Sequence, residues 1–147
     1  MSQGPVLVKV RKLYPDVVLP TRATEGSACW DVYALEAAWI YNDEVILVRT
    51  GLAFEVPDGW VLEIRPRSGL ASKGVIIPNS PGTLDSDYRG ELLVPMFCDG
   101  GLERKCLNKG TRIAQVMLKE VIPTEFVEVS ELTPTERGTG GFGSTGR

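Results

Sequence analysis

The chain has 147 residues, 43% of them hydrophobic and 24% charged, with a formal net charge of −3. That length suits one domain around one core, and the acidic balance argues against a broad nucleic-acid surface, which needs a basic face. Histidine is absent, which removes Ser-His-Asp and Cys-His schemes and makes a zinc site improbable.

Catalysis in such a chain must rest on carboxylates, arginines, hydroxyls, backbone amides and a hard cation held through oxygen. A few clustered arginines can still create a local positive pocket for a small anion. No stretch is apolar enough to span a bilayer, and Met1–Pro5 lacks the basic and apolar regions of a signal peptide. Cys29, Cys98 and Cys106 are odd in number and contain no C-x-x-C pair. The expectation is a cytoplasmic protein with no membrane partner, a nuclear or viral origin remaining open.

In chain order, Val6–Val10 is β-branched and short, an opening strand. Lys12–Thr21 carries Pro15 and Pro20 and reads as a loop or edge. Ala23–Ala34 begins as a turn and ends as a strand, with Asp31 between Trp30 and Val32. An acid so flanked either points outward, the commoner case, or is buried with a partner. Glu44–Val48 and Leu52–Val56 read as two strands broken at Thr50-Gly51. Pro57-Asp58-Gly59 is a turn, and Trp60–Ile64 follows as a strand. One brief helix is expected, at Ser68–Ser72. With Arg65-Pro66-Arg67-Ser68-Gly69 before it, this segment has the ingredients of an anion site: free amides, glycine for close approach, and a hydroxyl. The bland alternative is a capped turn with two solvated arginines.

Gly74–Ile77 and Leu92–Phe97 are apolar runs separated by Asn, Ser, Pro and Gly, so they read as a strand pair around a long turn. That turn, Gly82-Thr83-Leu84-Asp85-Ser86-Asp87-Tyr88-Arg89-Gly90-Glu91, concentrates three carboxylates, an aromatic and an arginine. A rigid sheet aiming such a loop is how loops carry function. Pro95 belongs at a strand edge or bulge. Gly101–Lys109 reads as a polar loop. Gly110–Leu118 returns to strand alternation, with Arg112, Ala114 and Val116 on one face and Ile113, Gln115 and Met117 on the other. From Pro134 the composition is that of a tail. Its G-x-G-x-x-G match has no helix after it, so it is no dinucleotide fingerprint. Its glycines, Arg137, Phe142, Ser144 and Thr145 suit an arm that orders on a ligand. Short strands with regular turn signals indicate an all-β sandwich or barrel.

Five stretches, Ala28–Ala34, Pro66–Ala71, Asn79–Glu91, Gly110–Gln115 and Arg137–Gly146, resemble the motifs of the trimeric dUTPases, in the family's order and across nearly the whole chain. The resemblance implies a jelly-roll-like β-barrel over residues 1–133, a glycine-rich C-terminal arm over 134–147, and a homotrimer whose sites are built from three subunits. It implies hydrolysis of dUTP to dUMP and pyrophosphate, which keeps uracil out of DNA and supplies dUMP for dTMP synthesis. By the same resemblance, Asp85 is the general base for the attacking water. Asn79, Gly82, Thr83 and Leu84 read the base, Tyr88 screens the deoxyribose, and Phe142 stacks on the base. Arg67, Ser68, Gly69, Gln115, Arg137, Gly138, Ser144 and Thr145 meet the phosphates, and Arg112 is structural. Mg2+ rides on the phosphate oxygens, with Asp31 holding its water shell or the nearby arginine network.

Two departures stand in the first motif. Cys29 takes a place where the family usually has glycine, and Trp30 one where a smaller residue is commoner; tolerance is the expectation. Rival readings are a dCTP deaminase or bifunctional deaminase-dUTPase on the same fold, and a non-catalytic nucleotide sensor. The run Asp85-Ser86-Asp87-Tyr88-Arg89-Gly90 favours the plain hydrolase.

Overall fold

The computed structural model describes residues 4–144 and Gly146. Ten strands and one helical turn follow one another: β1 (Lys9–Lys12), β2 (Trp30–Tyr33), β3 (Ala38–Tyr41), β4 (Ile46–Glu55), β5 (Trp60–Arg65), α1 (Ser68–Ala71), β6 (Val75–Ile76), β7 (Gly82–Leu84), β8 (Glu91–Cys98), β9 (Arg104–Leu107) and β10 (Arg112–Glu120). They form two four-stranded antiparallel sheets, β1-β4-β8-β6 and β2-β10-β5-β7, and a β3-β9 ribbon. The expected all-β, jelly-roll-like barrel is what the chain adopts. Its core is drawn from both sheets and the ribbon: Val32, Ile40, Leu52, Val94, Leu107 and Ile113 are all but inaccessible.

The opening strand lies later than expected, at Lys9–Lys12 instead of Val6–Val10, and takes in the start of the Lys12–Thr21 segment. The break expected at Thr50-Gly51 is not a break. β4 is one strand, and its pairing with β8 slips between Arg49↔Leu93 and Ala53↔Glu91. This bulge bends the strand, so that its first half pairs with β8 and its second half with β1. Gly51 supplies the left-handed φ of +71°. A Cβ there would also lie 2.7 Å from Val17 Cγ2, so both backbone angle and space demand glycine.

Two further expectations are corrected. Gly101–Lys109 is not all loop: β9 pairs with β3 from Ala38↔Leu107 to Tyr41↔Arg104. Its polar side chains hid it, because the ribbon buries Ile40 and Leu107 while Arg104 stacks over the Trp39 ring at 4.9 Å. In β10 the alternation fails at its start. A bulge between Arg112 and Ala114 turns Ile113 and Ala114 both inward, each 0% exposed, so Ile113 does not share a face with Gln115.

The long-turn reading holds. β6 pairs with β8 at Val75↔Cys98 and Ile76↔Phe97. Between them the chain crosses to the other sheet, where β7 pairs with β5 through Leu62↔Leu84 and Ile64↔Gly82. Pro95 lies opposite Leu47 on β4 and past the end of β6, where β8 is paired on one side only. Among the described residues no strand follows Glu120, and Ile122, Phe126, Val127 and Leu132 are largely exposed. No helix among the described residues is long and apolar enough to cross a membrane.

Candidate active site

Two cavities collect the residues singled out from the sequence. The first, about 230 Å³, is lined by Asn79, Gly82, Thr83, Leu84, Asp85 and Tyr88, together with Ile64 and the Glu91–Leu93 and Pro95 edge of β8. Its shape follows from β7. Leu84 is buried and anchors the strand, while Thr83 and Asp85 on either side are exposed. Gly82 sits in close approach: a Cβ there would lie 3.3 Å from both Asn79 Nδ2 and Ile64 Cβ, so one of these neighbours would have to give way.

Two carboxylates enter this cavity, and their environments differ. Glu91 is tied down. It accepts two bonds from Arg49 Nε, at 3.3 and 3.2 Å, one from Arg49 Nη2 at 3.0 Å, and one from the Gly51 amide at 3.0 Å. These hydrogen bonds to Glu91, and then the one from Arg49 Nη2 to the Tyr14 hydroxyl at 2.8 Å, raise the Arg49 pKa. Asp85 is exposed, and its carboxylate has no protein partner among the described residues. Tyr88 donates its hydroxyl to the Glu91 carbonyl at 2.9 Å, which folds the ring back along the turn. Arg89 Nη1 donates to the Ser86 carbonyl at 2.6 Å and closes the same turn.

The second cavity, about 140 Å³, is lined by Asp31, Arg67, Ser68 and Gln115 with Ala23, Ser27 and Cys29. Asp31 is not outward-facing. It is 7% exposed and accepts from Arg67 Nε at 3.1 Å, which is the buried-with-a-partner alternative. Gln115 Nε2 donates to the Pro66 carbonyl at 2.9 Å and so holds the segment that carries Arg67 and Ser68. No side chain caps the first turn of α1, which leaves its opening amides without a side-chain acceptor. Ser68 and Gly69 are exposed there. The Asp31–Arg67 pair forms with Cys29 in place, and Trp30 stands half exposed with Arg22 5.2 Å over its ring.

The described arm residues line neither cavity. Arg137 Nε donates to the Gly140 carbonyl at 2.8 Å in a local turn, and Phe142 is fully exposed at φ 50°. Gly138 and Ser144 are exposed with them, and Thr145 lies outside the described residues. Sequence reasoning missed the Arg49–Glu91 clamp and the part of Leu93 and Pro95 in the first cavity. Glu91 was in view as a loop carboxylate, but nothing local marked Arg49 as its partner.

The dUTPase family model matches residues 16–146. The chain belongs to the dUTPase family. It is 45% identical to the deoxyuridine 5'-triphosphate nucleotidohydrolase of Nautilia profundicola, over 95% of this chain and 99% of that protein. It is 44% identical to the one from Thermobifida fusca, over 97% of this chain and 80% of that protein. Among solved structures, a mutant dUTPase of Staphylococcus bacteriophage 80alpha with dUpNHpp matches at a TM-score of 0.87 and 25% identity, over 96% of this chain and 99% of that one. A mutant dUTPase from phage phi11 of S. aureus, described with a coordinated structural Mg(II) ion, matches in fold at a TM-score of 0.75 and 22% identity, over 86% of this chain and 98% of that one.

Proposed function

We propose that this chain hydrolyses dUTP to dUMP and pyrophosphate. The observation that carries the reading is the contrast inside the first cavity: Glu91 is consumed by Arg49 and Gly51, while Asp85 is left open beside Tyr88 and Asn79. With no histidine in the chain, Asp85 is the group suited to orient and deprotonate water. The water oxygen forms a bond to the α-phosphorus, and its proton passes to Asp85. The bond from that phosphorus to the bridging oxygen breaks, its electron pair leaving with pyrophosphate. An ordinary aspartate is a weak base, so alignment must supply much of the rate.

Asn79 and the β7 backbone would read the uracil edge, and fixed polar partners reject the wrong base strongly. Tyr88 would pack on the deoxyribose. Arg67, Ser68, Gly69 and Gln115 would take the phosphates, with charge stabilisation of the phosphoryl group as the main effect. Arg137, Gly138, Phe142, Ser144 and Thr145 would close over the nucleotide as an arm.

Among the described residues no three of His, Cys, Asp and Glu gather into a metal cage. Mg2+ needs none, since it keeps water and binds substrate phosphates. A buried carboxylate, Asp31, beside Arg67, Ser68 and Gln115 fits an ion brought by the phosphates and met through water. When bound, Mg2+ would supply neutralisation of phosphate charge. The three free cysteines suit a reducing, cytoplasmic setting.

A homotrimer with shared sites is part of the same reading. Asp85 follows Leu84, which pairs with Leu62, whereas Arg67 and Ser68 lie beyond Arg65 at the other end of β5. At a strand rise of roughly 3.3 Å per residue, Val61 to Arg65 alone spans about 13 Å. Each cavity is also smaller than the roughly 300 Å³ that ligand pockets start from. One site therefore suits the first cavity of one copy facing the second cavity of another. The exposed Ile122, Phe126, Val127 and Leu132 and an apolar groove beside Leu7, Leu19, Trp30 and Met117 are surfaces that assembly would cover.

The test is turnover across dUTP, dCTP, dTTP and UTP with and without Mg2+. Pyrophosphate from dUTP alone, enhanced by Mg2+, is expected. Ammonia released from dCTP would replace this reading with the deaminase.

A further inference from the structure

Gly90 is surrounded by an unusual demand. Its φ is not in the left-handed region, so the backbone there does not require glycine. The space does. A Cβ on Gly90 would lie 2.6 Å from Tyr88 Cζ and 3.0 Å from Cε1, and would collide with the hydroxyl as well. The Tyr88 ring lies over Gly90 and is held there by its bond to the Glu91 carbonyl. Glu91 is in turn fixed by Arg49 and the Gly51 amide. The ring therefore lies over Gly90 and is anchored at the carbonyl of Glu91, whose side chain is tied to β4.

We infer that Gly90 is a positioning residue for sugar discrimination, acting only through Tyr88. The inference rests on the proposed packing of Tyr88 against the deoxyribose. A ring that screens a 2′-hydroxyl must stand at a fixed height, because a displacement of about one methyl group opens room for the extra oxygen. Any side chain at position 90 lifts the ring off the turn and breaks its hydrogen bond to Glu91. The rest of the first cavity, which meets the base, is left in place. Discrimination between deoxyribose and ribose should then fall more than turnover itself.

The experiment measures kcat/KM for dUTP and for UTP in the full chain and in Gly90→Ala, Tyr88→Ala and the double variant. Gly90→Ala should lower the dUTP-to-UTP ratio roughly tenfold, the scale of one lost packing contact. In the Tyr88→Ala background, the same change at Gly90 should leave the ratio where Tyr88→Ala put it. A ratio unchanged by Tyr88→Ala overturns the sugar-screening reading itself. A ratio lowered by Tyr88→Ala but untouched by Gly90→Ala overturns only the role of Gly90. If Gly90→Ala is too unstable for kinetics, the double variant decides: a melting midpoint above that of Gly90→Ala supports the contact, and one no higher refutes it.

Discussion

Arg49 and Glu91 join the bulge of β4 to the start of β8, with the guanidinium Nε and Nη2 both on the carboxylate and the Gly51 amide donating to it as well. The bulge places Arg49 beside Glu91, and Glu91 leads directly back into the turn that bears Asp85 and Tyr88. The turn is thus moored to the barrel by this side chain, and Arg89 adds a contact to Glu55 at the end of β4 at 3.9 Å. Glu91→Gln keeps a carbonyl acceptor for Gly51 but loses the charge that binds Arg49. Its kcat/KM for dUTP should fall roughly tenfold, since small misplacements cost heavily in catalysis. Steady-state kinetics check this, and an unchanged kcat/KM would mean the turn holds its shape unaided.

Asp85→Asn separates chemistry from binding. The amide retains size and one acceptor but cannot take a proton. Turnover of dUTP should fall by about 10²- to 10⁴-fold, the usual contribution of a positioned base. Calorimetry with a non-hydrolysable dUTP analogue should show affinity little changed. Persistent turnover would remove Asp85 from the role of base.

What the sequence made legible follows from what is local. Glycine and proline punctuation and β-branched runs marked β5, β8 and β10, and the Gly74–Ile77 and Leu92–Phe97 runs did pair. The pattern misled where an outward polar face masked a half-buried ribbon, as at Arg104 and Lys105 in β9. It also misled where a bulge let both Ile113 and Ala114 face inward. Partnerships were the least legible. Asp31 and Arg67 are 36 positions apart, and Arg49 and Glu91 are 42 apart. No periodicity reports such a pairing, because it is made by the registers of strands and not by their composition. The two cavities drew together residues named from motif resemblance, but their separation along β5 was visible only once β7 had a register.

Thr50 tests the bulge itself. It is 2% exposed, donates to the Leu92 carbonyl at 2.7 Å and accepts from the Leu52 amide at 3.2 Å. Thr50→Val keeps the shape and removes the hydroxyl partner of both backbone groups. Each such loss costs about 1–3 kcal/mol, so denaturant unfolding should show a loss of that order. A loss too small to measure would mean that the bulge satisfies those groups in another way.

Glu63 gives the acid limb of stability a specific source. Hydrogen bonds from Arg65 Nε and Nη2, at 3.0 and 2.9 Å, hold its carboxyl below the ordinary value of 4.5 against the opposing effect of burial, and Lys119 assists. A carboxylate whose pKa is depressed by folding stabilises the native state above its unfolded value. That stabilisation is lost as pH falls through the folded value. Asp16 is lowered too, by its bond from Lys109, but it titrates alike in a Glu63 variant. The melting midpoint of the unaltered chain should therefore drop more steeply below about pH 4.5 than that of Glu63→Gln. Parallel curves would show that Glu63 contributes no acid sensitivity.

The division of the site between copies has a direct test in mixed assemblies. If one subunit supplies Asp85 and another supplies Arg67 and Ser68, then Asp85→Asn chains and Arg67→Ala chains are inactive for different reasons. Mixed and co-refolded, they form some interfaces where an intact Asp85 from one variant faces an intact Arg67 from the other. For random equal mixing this restores roughly a quarter of the sites, because each half is drawn independently from the two populations. A site built within one chain predicts no recovery at any ratio, since every chain carries one lesion. Mixing the two variants without unfolding serves as the control, and recovery that appears only after subunit exchange separates shared sites from residual activity.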